Sequence, residues 1–183
     1  YLREQIAAKL GNRVSYVHNP FYAQTNNLAS CWFGLSEIPG EPFIYLHADL
    51  IMSPDLVKRI AEDSSEQEAS LLIDFDSVDE EAMKVRLQMG RFIESSKSIP
   101  LDQAAGEWTG IAKFSSTGAK KFLKTMDDIL AEGQFDVYDT VAFNRMAATG
   151  MEFKLIETSA LPWCEIDTPQ DLSRAVAMFS EGA

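Results

Sequence analysis

The chain has 183 residues, 46% of them hydrophobic, which is enough apolar material for one sizeable core and one domain and gives no sign of disorder. Its 28 acidic residues against 16 basic give a formal net charge of -12, which argues against a nucleic-acid or anionic-membrane surface as the main partner. The two cysteines, Cys31 and Cys164, show no CxxC or zinc spacing, and no apolar run approaches the ~18 residues that span a bilayer, so the expectation is a soluble, cytoplasmic protein without a disulfide scaffold.

Along the chain, Leu2, Ile6 and Leu10 recur at helical spacing, and Gly11-Asn12 stops that helix. A chain that opens inside an uncapped helix reads as truncated. Val14, Tyr16 and His18 alternate as a strand closed by Asn19-Pro20. Thr25, Asn26 and Asn27 then stand directly before the apolar helical stretch 28–35. One Asn suffices as N-cap, and a second leaves an amide for a ligand at the helix N-terminus.

The rest of the chain is organised around residues 42–54. Phe43, Ile44, Tyr45 and Leu46 form a short continuous apolar run, as in a strand covered on both faces of a parallel sheet. Asp49 follows at its carboxyl end, where open α/β sheets bind their ligands, so its carboxylate is placed for a metal or a substrate, with turn capping as the plain alternative. Ser53-Pro54-Asp55 reads as N-cap, first helical residue and early-turn acid of a helix through Glu62.

A second buried strand, 69–75, runs into Asp74 and Asp76, whose i, i+2 spacing puts both carboxylates on one side. Asp79, Glu80 and Glu81 read as a solvated turn. Residues 84–94, turning at Gly90, form an antiparallel hairpin that leads to Lys97, by default an exposed lysine. Residues 106–114 read as a strand in which glycine marks close approach of a ligand or a second backbone. A helix capped by Ser115 or Ser116 ends at Gly133, and another, from about 137 to 148, holds Tyr138 and Asp139 in its first turn. Residues 151–157 alternate as a strand. Trp163 to Asp167 is short and apolar-acidic, and Thr168-Pro169-Gln170-Asp171 is a strong helix start.

Asp49 and Asp167, two strand-end acids each upstream of a capped helix, make a hard-cation site, since Mg²⁺ takes one or two protein carboxylates and completes its shell with phosphates and water. Such an ion would offset the acidity of the chain at a triphosphate. His18 and His47 have no Ser or Cys partner in a triad arrangement and read as structural.

Five segments, NPFYAQTNNLAS, FIYLHADLIMSPDLV, MKVRLQMGRFIESSKSI, GEWTGIAKFS and PWCEIDTPQDL, resemble nucleotidyltransferases of the CTP:phosphocholine cytidylyltransferase type, close to the 2-aminoethylphosphonate and inositol-phosphate cytidylyltransferases. The resemblance covers nearly the whole chain. It implies that Asp49 and Asp167 ligate Mg²⁺, that Thr25, Asn26 and Asn27 lie near the nucleotide, and that Lys97 contacts phosphate. That family begins with a strand and a G-x-G-x-R loop around the triphosphate, and neither stands in this sequence. By the family's layout on the order of 50 residues would precede Tyr1, more than one βαβ unit of about 30, and without them nucleotide transfer is expected to be poor or absent.

Trp108, Tyr138, Asp139, Trp163 and Glu165 supply aromatic faces and carboxylates for the cation of a zwitterionic acceptor, with core packing as the rival role of each Trp. The expected fold is a three-layer α/β/α, Rossmann-like nucleotidyltransferase domain, mostly parallel with an antiparallel hairpin. The expected function is Mg²⁺-dependent transfer of CMP from CTP, or a nucleotidyl group from another NTP, to a small phosphorylated or phosphonate acceptor, releasing pyrophosphate. Homodimerisation stays open. The alternatives are a sugar-1-phosphate nucleotidyltransferase, a glycosyltransferase using Asp74 and Asp76 as its metal pair, and a non-catalytic nucleotide-binding domain.

Overall fold

Apolar runs punctuated by capped helix starts resolve, in chain order, into α1 (Arg3–Leu10), α2 (Asn27–Ser36), β1 (Phe43–Leu46), β2 (Leu50–Met52), α3 (Pro54–Ala61), β3 (Ala69–Asp74), β4 (Lys84–Gln88), β5 (Arg91–Ser96), β6 (Gly106–Phe114), α4 (Ser116–Ala131), α5 (Thr140–Ala148), β7 (Phe153–Glu157), β8 (Trp163–Glu165) and α6 (Pro169–Ser180). The structure is a computed structural model and describes residues 2–64 and 66–180. No helix among the described residues is long and apolar enough to cross a membrane.

The main sheet is ordered β5-β4-β6-β3-β7, with β1 on β6 as well. β3 and β7 pair in parallel, and β6 runs antiparallel to β1, β3 and β4, so β1, β3, β4 and β7 share one direction while β5 and β6 oppose it. The fold is therefore mixed α/β with most strands pointing one way, as the sequence predicts. The reversed β6 between them was not foreseen. β1 is only half-buried, with Leu46 at 43% exposure, rather than covered on both faces.

Leu71 and Ile73 of β3 enter a core with Leu28 of α2, Phe122 and Met126 of α4 and Phe143 of α5. Leu72, on the opposite face, packs with Leu56 and Ile60 of α3. Side chains alternate across a strand, so these two cores make three layers. Phe122 stacks on Phe114 at 4.7 Å, fixing α4 against β6. α3 starts as expected, with Ser53 Oγ accepting from Asp55 N, a cap worth about 1 kcal/mol. Met89 and Gly90 both have positive φ, the two-residue turn that closes the β4–β5 hairpin.

Two expectations fail. Residues 14–18 form no strand, and Val14, Tyr16 and Val17 stay about half exposed. The last-expected helix before β7 starts at Thr140 rather than 137, because Asp139 is its N-cap and accepts from Thr140 N.

Candidate active site

β2 pairs antiparallel with β8, Leu50 opposite Glu165 and Met52 opposite Trp163. Beyond this ladder Ile166 N donates to Asp49 O at 2.9 Å, and Ser53 N donates to Pro162 O at 2.9 Å. The two acid-bearing segments that the sequence marks out, around Asp49 and Asp167, therefore lie side by side.

His47 stands behind them. Its Nε2 meets Asp139 Oδ2 at 3.0 Å, and its Nδ1 faces Glu165 Oε1 at 4.0 Å. The ring is edge-on to Trp108 at 4.9 Å, and its backbone N donates to Gly110 O at 3.0 Å. Gly110 has φ +77°, and a Cβ there would lie 2.9 Å from the imidazole, so only glycine leaves the ring its place. Burial alone pulls the imidazole pKa down, but the hydrogen bonds to Asp139 and Glu165 outweigh it and raise it to about 9.

Asp139 is itself wholly buried. Its backbone N donates to Asn27 Oδ1 at 2.9 Å, while Asn26 caps α2 and its amide donates to Asp136 Oδ1 at 3.2 Å. Burial, and after it the Asp139 charge, pushes the Cys31 thiol and the Tyr45 hydroxyl far above their ordinary range, so neither is a nucleophile at neutral pH. Thr25 is held inside its own loop, accepting from Asn19 Nδ2 and donating to Phe21 O, each at 3.0 Å.

A cleft of about 620 Å³ opens beside β8, lined by Asp74, Asp79, Glu81, Glu107, Glu165, Asp167 and Asp171 against the cations Lys97 and Arg174. Trp163 also lines it and donates its indole N–H to Asp74 Oδ2 at 2.8 Å. Burial, then the charges of Glu165, Asp79 and Asp74, raise the Glu107 carboxyl to about 7. The cleft thus favours bound positive charge. At the start of α6 Thr168 Oγ accepts from Asp171 N at 3.3 Å and Asp171 Oδ2 accepts from Thr168 N at 2.9 Å, and the Thr168 hydrogen bonds lower the Asp171 pKa.

Of the residues expected at a site, Lys97, Trp163, Glu165 and Asp167 line this cleft, and Asp49 adjoins it through Ile166. Among the described residues the one set of three possible metal ligands is His47, Asp49 and Glu165, and Asp167 stands outside it. Trp108 is corrected from acceptor contact to core. It is 1% exposed, donates to Ile111 O at 2.9 Å and packs edge-on to Phe143. Asp139 is likewise a buried support for His47 rather than a ligand contact, and Tyr138 sits at the surface, 43% exposed. Asp74, one half of the Asp74/Asp76 pair, gives one oxygen to Trp163 and the other to Asp76 N at 2.8 Å.

His47, read from sequence as structural, is held by Asp139 and Gly110 beside the acid-bearing segments, and Glu107 was not read as a site residue. His47 and Asp49 share the i, i+2 spacing read for Asp74 and Asp76. For Glu107 nothing local points to the cleft, which is assembled from β6, β8 and α6.

No protein-family model matches the sequence, and no curated protein matches it. Solved structures do. The inositol-1-phosphate CTP transferase from T. maritima superposes with TM-score 0.76 at 23% identity, covering 100% of this chain and 73% of that one. A putative glucose-1-phosphate thymidylyltransferase from Bacillus anthracis, in complex with a sucrose, gives 0.77 at 17% identity, over 95% of this chain and 70% of that one. The CTP:phosphocholine cytidylyltransferase from Streptococcus pneumoniae gives 0.71 at 18% identity, over 95% and 73%. The fold is that of these nucleotidyltransferases. In this Rossmann-like fold, the cleft beside β8 lies where the two acid-bearing segments converge.

Proposed function

We propose that the protein transfers a nucleotidyl group, CMP from CTP, to a small phosphorylated or phosphonate acceptor. The observation that carries this reading is the Ile166–Asp49 hydrogen bond, which sets two acidic segments together at an anionic cleft in a nucleotidyltransferase fold. An acceptor phosphate oxygen attacks the α-phosphorus of the triphosphate, the new P–O bond forms, and the bond to the β-phosphate breaks as pyrophosphate leaves. Mg²⁺, when bound, supplies neutralisation of the triphosphate charge, and Asp49 and Asp167 are the carboxylates that would hold it. Lys97, on the cleft wall, is assigned to a phosphate. The loop of Thr25, Asn26 and Asn27 is assigned to the nucleotide, supported by the bond from Asp139 N to Asn27, which ties that loop to the residue bracing His47. Trp163 and Glu165 suit the ammonium of a zwitterionic acceptor.

A sugar-1-phosphate acceptor is the second reading, favoured by the likeness to the thymidylyltransferase. Incubating the protein together with the phosphate-loop segment that the resemblance expects before Tyr1, with Mg²⁺, CTP, UTP or dTTP, and phosphocholine, 2-aminoethylphosphonate, inositol-1-phosphate or glucose-1-phosphate, separates them. Pyrophosphate release is expected with CTP and a phosphorylated amine or polyol. Release with dTTP and glucose-1-phosphate alone moves the assignment to the second reading, and release with none ends both. Asp167→Asn is expected to lower the rate at least 100-fold and Asp76→Asn less than threefold. The reverse order would favour a glycosyltransferase.

A further inference from the structure

Lys84 is 1% exposed, and after Trp108 it is the largest side chain so fully buried. Its register partners are Glu107 on β6 and Ser96 on β5, so it stands between the strand that brings Glu107 to the cleft and the strand that leads to Lys97. A buried ammonium calls for a countercharge. Among the described residues Lys84 has no ion-pair partner, and its Nζ donates to the backbone O of Glu80 at 2.6 Å. Glu80 belongs to an exposed acidic turn, residues 77–81, between β3 and β4. Asp79 Oδ1 shapes that turn by accepting from Glu81 N and Ala82 N, each at 2.9 Å. Apart from those two, the Lys84 bond is the one hydrogen bond among the described residues that reaches residues 77–81. It ties to the sheet the turn from which Asp79 and Glu81 enter the cleft. Stability does not call for a lysine here. An apolar side chain of similar length avoids desolvating a charge, and the carbonyl of Glu80, an exposed residue, can be hydrated instead.

We propose that Lys84 is a positioning residue, whose ammonium holds the turn on β4 so that Asp79 and Glu81 form a fixed wall for the positive end of the acceptor. The inference rests on reading the cleft as the acceptor's place, and it does not depend on which nucleotide is used. Holding the carboxylates still is what gives the wall its effect. A loose turn would swing both charges into bulk water, where their pull on a cation is about fourfold weaker than at a protein surface.

Two readouts on the full chain test it. The Glu107 carboxyl, followed by carbon-13 NMR, titrates at about 7 under burial and the charges of Glu165, Asp79 and Asp74. Lys84→Met frees the turn, and as Asp79 leaves, that midpoint is expected to fall by about 0.5. Losing a nearby positive charge would by itself raise it, so a rise or no change overturns the proposal. In an Asp79→Asn background, Lys84→Met is expected to move the midpoint no further, and an additive shift overturns the proposal as well. Choline is the probe for the wall, titrated against the Trp163 indole N–H signal. Lys84→Met is expected to weaken it at least threefold, at an unchanged or higher melting temperature. Choline binding that survives the substitution unchanged ends the positioning role and leaves the acceptor reading standing. A parent chain that binds no choline ends that reading, and the wall with it. Should Lys84→Met fail to fold by circular dichroism, the unsubstituted chain decides. A hydrogen-bond coupling from Lys84 Nζ to the Glu80 carbonyl carbon supports the clamp, and its absence overturns it.

Discussion

Glu107 reaches the cleft from β6 into a space where burial and the charges of Glu165, Asp79 and Asp74 all oppose its ionisation. Its folded pKa, about 7, lies above the 4.5 it has when exposed. A raised carboxyl contributes its full stability below pH 4.5, where both states carry the proton, and loses it as pH climbs through 7. With solvent screening allowed for, the loss is on the order of 1–2 kcal/mol. Glu107→Gln removes the titration. Melting curves without divalent cations should therefore show the variant gaining on the parent between pH 4.5 and 7, by about 3–6 °C, and then running parallel. A constant difference over that range would mean that Glu107 ionises normally. Single side chains were the least legible scale in the sequence. Asp49 and Asp167 announced themselves as acids at strand ends, but whether Trp108 faced a ligand or the core depended on Tyr45, His47 and Phe143 closing around it, and those come from two segments distant in sequence, β1 with the residue after it and α5.

Elements were mostly legible, and the exceptions share a cause. β3, β6, α3, α4 and α6 are long or cleanly capped, so local pattern suffices. β2 and β8 have three residues each and exist only because they meet one another. Gly118 shows how the environment of an element can reverse a local rule. In an exposed helix interior, Gly→Ala gains up to about 1 kcal/mol. In α4 a Cβ on Gly118 would stand 1.9 Å from the backbone O of Glu68, at the lead-in to β3. That atom cannot swing aside as a side chain would. The helix must move, at a cost of about 1–3 kcal/mol. Urea unfolding of Gly118→Ala should show a lower midpoint with an unchanged slope, whereas a higher midpoint would mean that α4 and Glu68 are not in contact.

At the scale of the whole molecule, a formal net charge of -12 makes self-repulsion a global cost, while the cleft collects carboxylates at one place. The two effects respond differently to ions. NaCl screens diffuse repulsion, with the Debye length falling from about 30 Å at 0.01 M to about 10 Å at 0.1 M, so a rise in melting temperature should level off over that interval. A divalent ion held by the folded protein adds a further term that grows with concentration, about 2.7 kcal/mol at a hundred times its dissociation constant. At matched ionic strength above 0.1 M, MgCl₂ should therefore raise the melting temperature beyond the NaCl plateau. No effect of MgCl₂ would reduce the cleft to a diffuse acidic surface, and the cation chemistry assigned to Asp49 would go with it.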